Sequence, residues 1–164
     1  MNETVYRLLE THAEALQAID AVIAAASQSI GVFDENPARL RERGFGAQDR
    51  IDTLRRFLLG RRHCRVSIVL HDVRAIESEL PRLVALLGQF SGQVSIHRTV
   101  GPAREAHDPL VIADGHSFWH KLHIDHPRSV LTLNNAKDTQ PRHERFQDIL
   151  ESSELAVTGT SLGL

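Results

Sequence analysis

The sequence has a single cysteine, Cys64, so no disulfide can form within it, and a lone thiol fits a reducing compartment. It is poor in aromatic residues, at 5%, and carries one tryptophan, Trp119. No apolar run approaches the roughly 20 residues that a membrane-spanning helix needs. The opening Met1-Asn2-Glu3-Thr4 lacks the basic start and apolar stretch of a signal peptide. The expectation is a cytoplasmic chain with no membrane partner. Charge of one sign is also lacking: the net value is −2, unlike the basic balance of a dedicated nucleic-acid binder. Gly-x-Gly-x-x-Gly and Walker loops are missing, as are the Gly-x-Ser-x-Gly elbow, His-Glu-x-x-His and paired cysteines. No cofactor and no metal is therefore expected.

What is present suits one domain over residues 1–164, with 41% hydrophobic and 24% charged residues and enough length to bury a core. Between Glu35 and Arg65 nine arginines face four acidic residues. This stretch is either a solvated face or an anion-facing patch, and the guanidinium fork suits oxyanions.

Apolar residues at helical spacing predict a helix over Thr4 to Ser27. Ser29 to Asp34 reads as a strand and Gln48 to Leu59 as a helix ended by Gly60. Cys64 to Leu70 is a strand, and Asp72 to Leu87 a helix that Pro81 kinks or restarts. Gln93 to Arg98 is a further strand. This alternation predicts parallel strands with crossover helices. Leu110 to Ala113, Ser117 to Ile124 and Val130 to Leu133 then form strands with short links, Asp114-Gly115 and His126-Pro127, which predict antiparallel hairpins. A helix over Gln140 to Ser152 follows. The tail from Val157 to Leu164 either docks on the surface or stays mobile. The fold class is α/β, a mixed sheet flanked by helices.

Ten histidines are present, and five of them lie between positions 107 and 126. Strand alternation puts Trp119, Lys121, His123 and Asp125 on one face as a polar row. Phe118, His120, Leu122 and Ile124 form the other, core-like face, where His120 is either a hydrogen-bonded core residue or a ligand. His107-Asp108-Pro109-Leu110-Val111-Ile112-Ala113-Asp114 has the skeleton His-x-Lys-x4-Asp with proline at the lysine position. An oriented imidazole can attack phosphorus, provided a cation neutralises the non-bridging oxygens. In a strand, His107 and residue 109 would point the same way, and Pro109 supplies neither charge nor proton. Lys121 and Arg128 are the candidate substitutes.

The order of these segments resembles one half of the phospholipase D superfamily: Ser29 to Asp34, Arg56-Phe57-Leu58, Val66 to Leu70, His107 to Asp114 and Phe146 to Leu150. The blocks Val66 to Asp72, His107-Asp108-Pro109, Trp119 to Arg128 and Thr160 to Leu164 resemble a bacterial phospholipase D-like family of unknown function associated with N-acetyltransferases. The resemblance implies catalytic roles for His107 and Asp114 if the chain is active. It also implies a homodimer, because active members pair two motifs, and an acetyltransferase as partner. The motif lysine and the Gly-Ser-x-Asn segment, which would fall near Lys121 to Ile124, are both lost.

The leading expectation is a non-catalytic domain that binds an anionic small molecule, a phosphodiester or a protein partner. His107, Lys121, His123, Arg128 and His120 are its anion-binding candidates. The alternative is a metal-independent phosphodiesterase or nuclease acting as a homodimer through His107. A metal-dependent hydrolase built on the histidine cluster and a purely structural domain are further readings.

Overall fold

The computed structural model describes residues 3–123 and 125–157. Eight strands form one mixed sheet in the order β1-β7-β6-β5-β2-β3-β4-β8. The parallel centre is β2 (Ser29–Asp34), β3 (Arg65–Leu70) and β4 (Val94–Thr99). β2 and β3 are almost wholly buried, as strands covered on both faces should be. The antiparallel part is β5 (Leu110–Ala113), β6 (Ser117–Lys121) and β7 (Ser129–Leu133), with β5 running against β2. Asp114 and Gly115, at φ 56° and 75°, take left-handed conformations in the predicted β5–β6 link.

Two edge strands depart from the sequence expectation. Residues expected to start the first helix form β1 (Val5–Leu9), antiparallel to β7, and the helix α1 begins only at His12 and runs to Ala25. Its start is fixed by a capping box: Glu14 N donates to Thr11 Oγ1 and Thr11 N donates to Glu14 Oε1, both at 3.1 Å. At the other edge, β8 (Ser153–Val157) pairs antiparallel with β4. The remaining tail expectation, residues 158–164, lies outside the described residues, as does Ile124.

One face of the sheet is covered by α1, α3 (Gln48–Gly60) and α5 (Pro81–Gln89), with Trp119, Val32 and Ile68 among the buried residues beneath them. Two single-turn helices, α2 (Pro37–Leu40) and α4 (Ile76–Glu79), lie between these elements, and a π turn at Arg41–Phe45 follows α2. The expected helix over Asp72 to Leu87 is thus broken in two, with Pro81 starting the second piece. The other face is covered by α6 (Ala136–Glu151), whose Phe146 and Ile149 pack with Phe33, Val69, Leu110 and Phe118. Gly31 makes this packing possible: a Cβ there would stand 2.6 Å from the Phe146 ring. Because both faces are covered, the expected polar row on β6 is not one. Trp119 is buried, Lys121 is half-buried, and the strand ends before His123 and Asp125. No helix among the described residues is long and apolar enough to cross a membrane.

Candidate anion site

The parallel strands deliver chemistry-bearing residues to their carboxyl ends, where open α/β sheets bind ligands. Asp34 and Glu35 close β2, His71 follows β3, and Thr99 ends β4. β5 runs the opposite way, so its entry residues, His107 and Asp108, arrive at the same end.

Glu35 and His71 are locked together first. The backbone N–H groups of His71 and Asp72 both donate to the Glu35 carbonyl, at 3.0 and 3.1 Å. His71 Nε2–H donates to the Ala106 carbonyl at 2.5 Å, which fixes its tautomer, since a carbonyl only accepts. Thr99 Oγ1 then donates to His71 Nδ1 at 2.6 Å. His71 thus anchors the backbone just before His107. Glu35 anchors the side chain: His107 Nδ1–H donates to Glu35 Oε1 at 2.9 Å. Nε2 of His107 has no bonding partner among the described residues, on a ring whose side chain is 56% exposed. An imidazole held by a carboxylate at Nδ1 presents its Nε2 as acceptor, nucleophile or, when protonated, anion donor.

Glu35, His71 and His107 place donor atoms within 4.8 Å of one another, close enough to suggest a cation site. Both His71 nitrogens are occupied, however, and a metal would have to displace Thr99 or Ala106. The triad is built as a hydrogen-bond chain.

Asp108 organises the other wall. It accepts from His120 Nε2 at 2.7 Å and from Arg145 Nε and Nη2, on α6, at 2.7 and 2.5 Å. Burial pushes the Asp108 carboxyl up, but the bonds from His120 and Arg145 outweigh it and hold the group far below the usual carboxylate range. Glu105, His107, Asp108, Leu122, His123 and Arg145 together line an open cleft.

The residues singled out from sequence are therefore divided. His107 and His123 share the cleft, and His120 lies beneath it, buried against Asp108. Lys121 pairs across the ladder beside Pro109, its N–H donating to the Pro109 carbonyl at 2.9 Å, but its side chain belongs to a different cleft with Arg43 and Trp119. The strand expected to align His107 with residue 109 does not reach them, because β5 starts at Leu110. Arg128 pairs with Glu10 at 3.7 Å, away from His107. Asp114 lies at the opposite end of β5. It accepts from the backbone N–H groups of Ser27, Gln28 and Ser29 at 2.7, 2.8 and 2.8 Å. Burial works against its charge, yet these bonds keep its carboxyl below the ordinary range. Asp114 holds the α1–β2 connection and does not touch His107. Sequence reasoning passed over Glu35, His71 and Arg145 as site residues.

The arginine-rich stretch divides in the same way. Arg43 and Arg50 are buried structural cations, paired with Asp34 at 3.0 Å and Asp20 at 2.6 Å. Arg61, Arg62 and Arg65 lie at the amino end of β3, opposite the His107 cleft.

The chain belongs to the family described as "Domain of unknown function (DUF7931)", whose model matches residues 11–158. No curated protein matches it by sequence. Among solved structures it is similar to Nuc from Salmonella typhimurium, a phospholipase D family member. The TM-score is 0.60 at 15% identity, covering 95% of this chain and 100% of that one. The archaeal chromatin protein TrmBL2 superposes with a TM-score of 0.63 at 15% identity, over 92% of this chain and 54% of its own. Phosphatidylserine synthase from Haemophilus influenzae Rd KW20 does so with a TM-score of 0.59 at 12% identity, over 96% of this chain and 41% of its own. The fold is phospholipase D-like.

Proposed function

We propose that this DUF7931 member uses its phospholipase D-like fold to hold a phosphate or phosphodiester anion at His107, without cleaving it. One observation carries the reading. Glu35 fixes the His107 tautomer and leaves Nε2 exposed at the carboxyl ends of the parallel strands. His123, in the same cleft, supplies a further donor. The structural neighbours point to the same ligand chemistry: one is a phospholipase D family member, one shows a mode of DNA binding and one is a phosphatidylserine synthase. DNA and phosphatidyl lipids share the phosphodiester. Binding is favoured over turnover because Pro109 stands where the motif has its lysine and Arg145 is committed to Asp108. Loss of one such electrostatic partner costs about 100- to 1000-fold in rate.

Titration of the chain with inorganic phosphate, followed by phosphorus NMR, tests the reading. His107→Ala should weaken binding about tenfold, the value of one charge-assisted hydrogen bond. Unchanged binding in that variant would turn attention to a protein partner at this end, such as the acetyltransferase implied by resemblance. Hydrolysis of a phosphodiester that disappears in His107→Ala would instead establish the metal-independent enzyme. In that case the chain should sediment as a dimer, with a second copy supplying a second His107.

A further inference from the structure

On the α1 side of the same sheet end lies a second cleft, of about 270 Å3, walled by His12, Arg43, Trp119, Lys121, Asp125 and His126. It shares no lining residue with the His107 cleft. We propose that it is a separate anion site, taking one phosphate group or a similarly small oxyanion against Lys121, Arg43 and the indole N–H of Trp119.

Three of its wall side chains, Trp119, Arg43 and Lys121, can only donate. Trp119 is 1% exposed, yet its Nε1–H has no acceptor among the described residues. A buried donor left unpaired is rare in a folded protein and costly unless something else accepts from it. Arg43 lies over the Trp119 ring at 5.4 Å, with its side chain 6% exposed. Only its Nε is spent among the described residues, on Asp34 Oδ2 at 3.0 Å, so the terminal amino groups keep their donors. Lys121 closes the end of β6 beside them. Burial lowers the Lys121 ammonium, and the Arg43 and Arg39 cations lower it further, a crowding that a bound anion would relieve. The first turn of α1, a helix of 14 residues, adds His12 and Ala15 to the wall, and a helix start favours negative charge. Asp125 is the one acidic wall residue. Pockets for drug-sized ligands run from about 300 to 1,000 Å3, so this cleft suits a single oxyanion group better than a nucleotide or lipid.

Trp119 is the only tryptophan in the chain, so its fluorescence reports on this cleft. The full chain, Lys121→Met and His107→Ala would each be titrated with inorganic phosphate, at constant ionic strength set with chloride. The expected result is a saturable change in the parent, kept in His107→Ala and weakened at least tenfold in Lys121→Met. Lys121→Met keeps the apolar stem, and a thermal melt confirms its fold. Calorimetric titration of the same three proteins covers a silent binding event. The proposal is overturned if Lys121→Met takes up phosphate as the parent does, or if His107→Ala abolishes the tryptophan response. Failure of the His107 reading alone would leave the tryptophan response intact, so the two sites stand or fall separately.

Discussion

Asp108 shows how much of the candidate site hangs on one carboxylate. Flanked by His107 and Pro109, it ties β6 through His120 and α6 through Arg145. Removing it in Asp108→Ala leaves a buried imidazole N–H without its acceptor, and such a loss costs about 1–3 kcal/mol. The folded carboxyl lies below its unfolded value, so its contribution is present above about pH 4 and is lost as pH falls. The stability gap between parent and Asp108→Ala, from urea unfolding, should therefore narrow below about pH 4 by about 1.4 kcal/mol per pH unit. A gap that stays constant down to pH 2.5 would rule this account out. Asp34 acts with the opposite sign: burial raises its carboxyl, partly offset by Arg43, so protonation favours the fold there. Comparing parent with Asp108→Ala cancels that background. Of these residues, His107 was legible in the sequence because it carries a motif. Glu35 and His71 were not, since nothing in a lone carboxylate or histidine says which strand end it shares. The rule that ligands gather at carboxyl ends of parallel strands would have found both, because each directly follows a strand that the sequence did reveal.

The central strands were readable because burial on both faces writes them as continuous apolar runs, and Ile30 to Phe33 and Val66 to Leu70 do so. The edges were not. Leu8 and Leu9 extend the helical spacing of α1 by chance, although Leu9 is buried from a strand and Leu8 stands 52% exposed. The better signal was Thr11-x-x-Glu14, a capping box that places the helix start after both leucines. The seating of α6 was also invisible, because it depends on what Gly31 lacks. With Phe146 2.6 Å from a Cβ at that position, Gly31→Ala must displace the ring or the helix. Overpacking of this kind costs about 1–3 kcal/mol. The fall should appear in the urea midpoint, and Gly31→Ala combined with Phe146→Leu should recover part of it, since the smaller side chain clears the contact. If the double variant is no more stable than the sum of the two single losses predicts, the steric reading fails.

At the scale of the whole molecule, the sheet is open, and its two edges decide whether it stays single. β8 covers β4 with only five residues, through an irregular register between Ile96 and His97 and an ion pair from Arg98 to Glu154. Short strands, bulges and charges are the usual protections of a sheet edge. Val94, Ile96 and Thr99 of β4 are buried, while Ser95, His97 and Arg98 are not. Ending the chain at Ser152 would leave that strand with unpaired backbone groups, a template for a second copy. The truncated chain should keep its far-ultraviolet spectrum but form concentration-dependent oligomers on size-exclusion chromatography. Ending at Val157 separates the two causes, because it removes residues 158–164 and spares β8. If that shorter deletion oligomerises equally, the edge strand is not the guard. If only the Ser152 form does, β8 keeps β4 from pairing with other chains, and any native dimer must form at another surface, such as the end of the sheet that carries His107.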